Sequence, residues 1–274
     1  MSAIVPVSDP DVKFDFTDVD FDTTYPALTT VILSTMCANV AVMGVQGLNN
    51  VRVIARGNHA SELDVQTRGS EMKITSPLDY GQPMNMGGNV HISGGSGINT
   101  INGVLYMNGR AVDTSDPMMM LVMVPVGTTI KVGIVLGVKV VIRDVQGELE
   151  AKLQGVTNVE VDYVTSADVH VSGSGSFKCQ TAEGDSLSVK ISGMGSSTVQ
   201  SGKVTNFHAQ VSGMGGISFG GEAVNASLSV SGMGSISLYT CTGTLRKDKS
   251  GMGSINVMND QTQRAGKSSS FSEW

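Results

Sequence analysis

The chain has 274 residues, of which 40% are apolar, 5% aromatic and 15% charged, with 34 glycines and 16 methionines. That much apolar material excludes global disorder, and the scarcity of long charged side chains excludes a mainly helical protein. The net charge of −6 sits almost wholly in residues 1–22, which hold six aspartates against Lys13, so the body is near neutral and offers no basic track for nucleic acid.

Residues 1–27 read as an acidic, extended arm. In DVKFDFTDVDFDTTY, Phe14 and Phe16 share one face of a strand and acids take the other, with a shift of parity after Asp18. The arm is expected to add to a sheet edge or to a partner, which makes Phe14 and Phe16 candidate contact residues. The carboxylates of Asp18, Asp20 and Asp22 lack the glycine and distal glutamate of a calcium loop, so no metal is assigned to them. The start, MSAIVPVSDPDVKFDF, has no basic segment followed by an apolar one, so no secretory signal is read there.

Residues 28–260 read as the body. Strand signals fill 30–76: TTVILSTM, NVAVMGV, NNVRVIARG, ELDVQTRG and EMKITS, punctuated by Gly47, Gly57 and Gly69. They predict either opening coils or a small sheet covering one end of the core. Residues 78–116 read as a Gly/Asn-rich insertion, where Asn102-Gly103 and Asn108-Gly109 predict hairpin turns flanking VLYM. Met118–Val126 is the longest apolar run, broken by Pro125. It is far short of the roughly 20 residues of a membrane span and reads as a buried strand.

A repeat dominates the rest. VSGSGSF, ISGMGSS, VSGMGGI, VSGMGSI and KSGMGSI place their first glycines at Gly173, Gly193, Gly213, Gly232 and Gly251, with fainter copies at Gly137 and Gly155. With each of these glycines as position 0, the apolar residues fall at even positions: Val171, Ile191, Val211 and Val230 at −2; Phe177, Ile217, Ile236 and Ile255 at +4. Period two means strand with even positions facing inward. A unit of about 19 residues is too short for a propeller blade and suits one coil of a β-solenoid. The glycines at 0 and +2 predict tight bends and close backbone approach. The last copy carries Arg246–Lys249 (RKDK), read as a charged end cap. Residues 261–274 read as a flexible tail whose terminal Trp274 could meet a partner.

Position +1 is Met194, Met214, Met233 and Met252 in four consecutive copies. Parity points these outward, as an apolar file suited to docking. A bend at the glycines would instead tuck them into a corner of the core, and burial, the commoner fate of methionine, favours that corner.

No catalytic constellation emerges. His59, His91, His170 and His208 stand in no HExxH, and no CxxC, GxSxG or phosphate-binding loop is present. Cys37, Cys179 and Cys241 are odd in number and widely spaced, which predicts buried free thiols and a reducing compartment. Asn225 opens a glycosylation sequon, relevant only to an exported chain.

The serial (V/I)SG(S/M)G(S/G) units, the VPVGT strand at Val124–Thr128, VRVIARG and the Gly69–Ile74 segment together resemble the GIN domain, also called the putative auto-transporter adhesin head domain, over roughly residues 30–260. Four units depart from the family pattern by having Met in place of Ser. The resemblance implies a right-handed β-solenoid, and by the family's name an adhesin. The expectation is therefore an all-β, right-handed β-solenoid, β-helix-like, with coils of about 19 residues. Its function is expected to be noncatalytic: a rigid solenoid docking into a larger protein assembly, without cofactor or metal, a homo-oligomer being open. The alternative is a surface adhesin or carbohydrate-binding module. A third class, a degenerate polysaccharide-active β-helix enzyme, would need a column of carboxylates that the sequence lacks. The chain is expected inside the cell, or alternatively at the cell surface by an unrecognised export route.

Overall fold

A computed structural model describes residues 18–34, 38–57, 60–75, 98–101, 104–107, 110–112, 118–133, 139–154 and 157–262. Strands dominate because valine, isoleucine and threonine alternate with small polar residues, the pattern that fits a half-buried pleat. In chain order β1 (Phe21–Pro26), β2 (Thr30–Ser34), β3 (Ala38–Val45), β4 (Asn50–Arg56), β5 (Asp64–Arg68) and β6 (Glu71–Thr75) come first. A separate antiparallel sheet follows, made of β7 (Ile98–Ile101), β8 (Val104–Met107) and β9 (Arg110–Val112). Then come β10 (Met118–Pro125), β11 (Thr129–Val132), β12 (Lys139–Arg143) and β13 (Glu148–Leu153). The repeat region supplies β14 (Asn158–Val171), β15 (Ser176–Ile191), β16 (Ser196–Val211), β17 (Gly216–Val230), β18 (Ser235–Cys241), β19 (Leu245–Lys249) and β20 (Ser254–Asp260).

The chain is a β-solenoid, with strands of successive coils pairing in parallel. On one side the order is β1-β4-β10-β3-β12, then the first halves of β14 to β17, then β18 and β20. On the second side it is β5-β6-β2-β11-β13, then the second halves of β14 to β17, then β19. A short third side is built from residues such as Ala182, Val204 and Ala223. The N-terminal strands thus both open the coils and cover the end of the core. There β1 and β4 run antiparallel on one side, and the β5–β6 hairpin closes the other, turning at Gly69 with φ +61°. Part of the stretch read as an arm, Phe21–Pro26, is an edge strand, tied down by the Asp22–Arg52 ion pair at 2.6 Å.

The coil parity is regular. Phe177, Cys179, Leu187, Val189 and Ile191 of one coil stand in register with Ser197, Val199, Phe207, Ala209 and Val211 of the next, all of them buried. The coil advances 20 residues from β15 to β16 and drops to 19 within β16–β17, where the register slips between Val199 and Lys203. Phe207 and Phe219 fill the interior together, their ring centroids 5.2 Å apart. Ser197 is the exception in its column: its hydroxyl is buried without a partner between Phe177 and Ile217.

Cys179 and Cys241 are buried free thiols; Cys37 lies outside the described residues. Burial pushes the Cys179 thiol from its ordinary 9.0 up to about 12.

Two predictions follow from the packing. Val211→Asp should unfold the protein, since an unpaired buried charge costs about 3–5 kcal/mol. Ser212→Asp, one residue along on the solvent side, should melt like wild type by circular dichroism; equal damage from both would overturn the parity. For Cys179, the unfolded thiol ionises near pH 9 while the folded one stays protonated. The folded state therefore holds more protons above pH 9, and stability falls as pH rises from there toward 12. Denaturant titrations at pH 8 and pH 10.5 should show a smaller loss in Cys179→Val than in wild type.

Candidate contact surface

The corner between the second and first sides is the SGxG segment. Its backbones lie so close from coil to coil that only glycine fits. A Cβ at Gly193, Gly213, Gly232 or Gly251 would run into the carbonyl oxygen of Gly173, Gly193, Gly213 or Gly232 one coil earlier. The chain bends at each unit, as expected, but none of these glycines has positive φ, so close approach is what demands glycine here. The corner is laced by interstrand bonds: the amides of Met194, Met214 and Met233 donate to Gly173, Gly193 and Gly213 carbonyls, each at 3.1 Å. The second glycine of each unit points inward. A Cβ on Gly195, Gly215, Gly234 or Gly253 would strike the side chain of Val171, Ile191, Val211 or Val230, 2.5 to 2.8 Å away.

With the inward slot filled this way, the residue between the glycines must face solvent. Met194, Met214, Met233 and Met252 are 63%, 55%, 56% and 83% exposed. The corner-packed arrangement is therefore overturned: even-position parity runs unbroken through the bend, and no pocket of core is left for a thioether. The four side chains form a file one coil apart, roughly 15 Å long at about 4.8 Å per step. Exposed serines flank the file at Ser192, Ser212, Ser231 and Ser250, and no charged residue lies within the four SGMG units.

The other sequence candidates are distributed differently. Phe14, Phe16 and Trp274 lie outside the described residues, as do His59 and His91. His170 is exposed and His208 half-buried, on separate coils. Among the described residues no cluster of three or more His, Cys, Asp or Glu could hold a metal. Asn225, the sequon residue, belongs to a corner ladder: its amide donates to Asn206 Oδ1 at 3.3 Å, and its own Oδ1 accepts from the Thr244 amide at 3.4 Å. Two further exposed apolar side chains, Tyr239 and Met258, lie on strands β18 and β20 near the C-terminal end; the alternation alone signals them only as outward positions.

Residues 130–270, just over half of the chain, match the family model described as putative auto-transporter adhesin, head GIN domain. The chain belongs to this family. The fold similarity of this GIN domain reaches further than the family match. A putative adhesin from Bacteroides fragilis aligns over 88% of this chain and 97% of its own, with 14% identity and a TM-score of 0.52. A putative lipid binding protein from Parabacteroides distasonis covers 86% and 96%, with 15% identity and a TM-score of 0.53. A putative adhesin from Parabacteroides merdae covers 86% and 95%, with 11% identity and a TM-score of 0.51. At such identities the likeness is one of fold. No curated protein is similar in sequence. None of these descriptions is of an enzyme, and among the described residues no helix is long and apolar enough to cross a membrane.

The corner geometry separates two neighbouring substitutions. Gly213→Ala forces a Cβ against the Gly193 carbonyl and should destabilise by about 2–3 kcal/mol, as overpacked sites do. Met214→Ala beside it removes only an exposed side chain and should stay within about 0.5 kcal/mol of wild type in urea unfolding.

Proposed function

We propose that this GIN domain is a noncatalytic interaction protein of the adhesin type that docks through its methionine-lined corner into a larger protein assembly. The observation that carries the reading is the file of four exposed methionines in register on consecutive coils. Exposed thioethers in series are uncommon on a soluble surface, and methionine adapts to irregular partners. The solenoid holds the row rigid, so little backbone order is lost on contact. The partner face it fits is apolar and uncharged, because the SGMG units present no charge of their own.

The family description favours the surface reading over the intracellular one, with the chain acting as the head of a larger assembly. A glycan-binding role has less support. Sugar recognition leans on aromatic platforms, and among the residues whose burial is described Tyr239 is the one exposed aromatic.

The test is a variant with Met194, Met214, Met233 and Met252 all changed to Ser, the residue standing at Ser174. Its melting temperature should match wild type, while capture of a native partner on the immobilised chain should fall at least tenfold. Mild peroxide should release the same partner, and methionine sulfoxide reductase should restore it. Binding that survives both treatments would remove the corner from the function.

A further inference from the structure

The C-terminal end of the solenoid is built differently from the N-terminal end. Antiparallel strands close the N-terminal end. At the other end, β19 pairs with β17 along one edge, and its second edge has no strand partner among the described residues. Beneath that edge the core is thinly covered: Leu245, Ile255 and Val257 pack against it yet are only half-buried. Lys247 and Lys249 occupy inward positions, in register with Leu228 and Val230. Arg246 and Asp248 alternate with them on the outward side, and Asp260 stands close enough to Lys247 to feel its charge. An apolar floor under two long aliphatic stems, with opposite charges alternating along the rim, is a docking edge for a strand of matching pattern.

We propose that the strand that completes this edge is the segment Val12–Phe16 of a second copy of the chain, so that molecules join head to tail. This inference stands apart from the methionine corner and does not rest on it. Its warrant is charge and size complementarity in one register. Laid antiparallel to β19, the segment places Phe16 opposite Leu245, Asp15 opposite Arg246, Phe14 opposite Lys247, Lys13 opposite Asp248 and Val12 opposite Lys249. Both outward pairs are then of opposite sign, and all three inward residues are apolar, resting on Leu245 and the lysine stems. The parallel alignment puts Lys13 against Arg246 and Asp15 against Asp248, two like-charge pairs, which directly opposed strands avoid.

The donor must be another molecule. Along the first side, β1 to β18, the strand level with β19, spans ten strands, nine spacings of about 4.8 Å or close to 43 Å. From Phe21, fixed in β1, back to Phe16 is five Cα steps, a reach of at most about 19 Å. The chain's own arm therefore cannot reach its own β19. The sequence that follows β20 matches the edge less well: at the coil spacing Arg264, Gly266 and Ser268 fall at the inward positions opposite Leu245, Lys247 and Lys249, and none of them is apolar. A contact between different surfaces of two copies is heterologous, and joined end to end along the stack it propagates as an open chain of molecules.

The test is sedimentation of the full chain over a wide concentration range. The weight-average mass should climb past the dimer without a plateau. Asp15→Arg and Arg246→Asp should each weaken association about tenfold, since each sets like charges face to face. Mixing the two single variants should restore it, because each contact between unlike variants pairs opposite charges and the two can alternate along the chain, and so should the double variant D15R/R246D on its own. Removal of residues 1–17, which spares β1, should leave a monomer of unchanged melting temperature. A chain that stays monomeric throughout, stops at a closed dimer, or associates equally well in both single variants would overturn the proposal.

Discussion

The constraint on which the molecule depends is the near-contact of backbones at the SGxG corner. Parallel coils separated by one strand spacing leave no room for a Cβ where the chain doubles back, so glycine is obligatory at two positions per turn. The rest follows from that constraint. Two glycines separated by one residue keep the alternation of inside and outside intact through the bend. Val171 before the bend and Phe177 after it then face the same core. The same rule ejects the intervening residue. Methionine at this position is therefore exposed by geometry, whatever its own preference for burial.

A stack of parallel strands has two open ends, and both must be dealt with or the molecule aggregates. At the N-terminal end the chain reverses direction: β4 and β1 lie antiparallel on one side, β5 folds back on β6 on the other, and Arg52 clamps Asp22 across the outermost strand. The C-terminal end keeps its direction and uses charge in place of reversal. Arg246, Lys247 and Lys249 stand where the preceding coils have Ser227, Leu228 and Val230. Cross-coil ion pairs elsewhere, such as Lys203 with Glu222 at 2.8 Å, are exposed and contribute little to stability, about 0–1 kcal/mol each. The charges of the last coil matter for what they admit and refuse.

Much of this architecture was legible in the residues because a repeat states the same rule several times. Even positions from −4 to +6 are apolar or glycine in most coils, so register and inward face could be read without coordinates. Three features could not. The strand order at the N-terminal end is one: β10 inserts between β3 and β4, although β3 and β4 are consecutive in sequence. Alternation identifies a strand but not its neighbours. The third side is another, since its parity changes at corners where coils of 20 and 19 residues meet and the register slips. The methionine corner is the third. Composition argued for burial and parity for exposure, and the decision came from the glycine at +2, whose Cβ-less inward position was visible in the sequence but whose steric meaning was not. Ser197 runs the other way, a polar residue at a core position whose small size accompanies Phe177 in register above it.

Once glycine has fixed the corner, the residue between the glycines is structurally free: Ser174 occupies the slot in one coil and methionine in the next four, with the amides of Met194, Met214 and Met233 making the same bond to a glycine carbonyl one coil earlier. A position that the fold does not constrain is where a repeat protein can change its surface without refolding. The inward columns are under packing control, so their variation is limited to exchanges such as Phe207 for Ala226 that trade volume between neighbouring coils. Freedom to vary therefore concentrates in two places, the outward corner slot and the segments beyond the last regular coils. In this chain the first holds a run of identical soft, uncharged side chains, and the second holds an arm and an edge whose charges alternate in complementary order. A rigid core keeps the corner slots and the C-terminal edge at a fixed separation, which a flexible linker of the same length would not do.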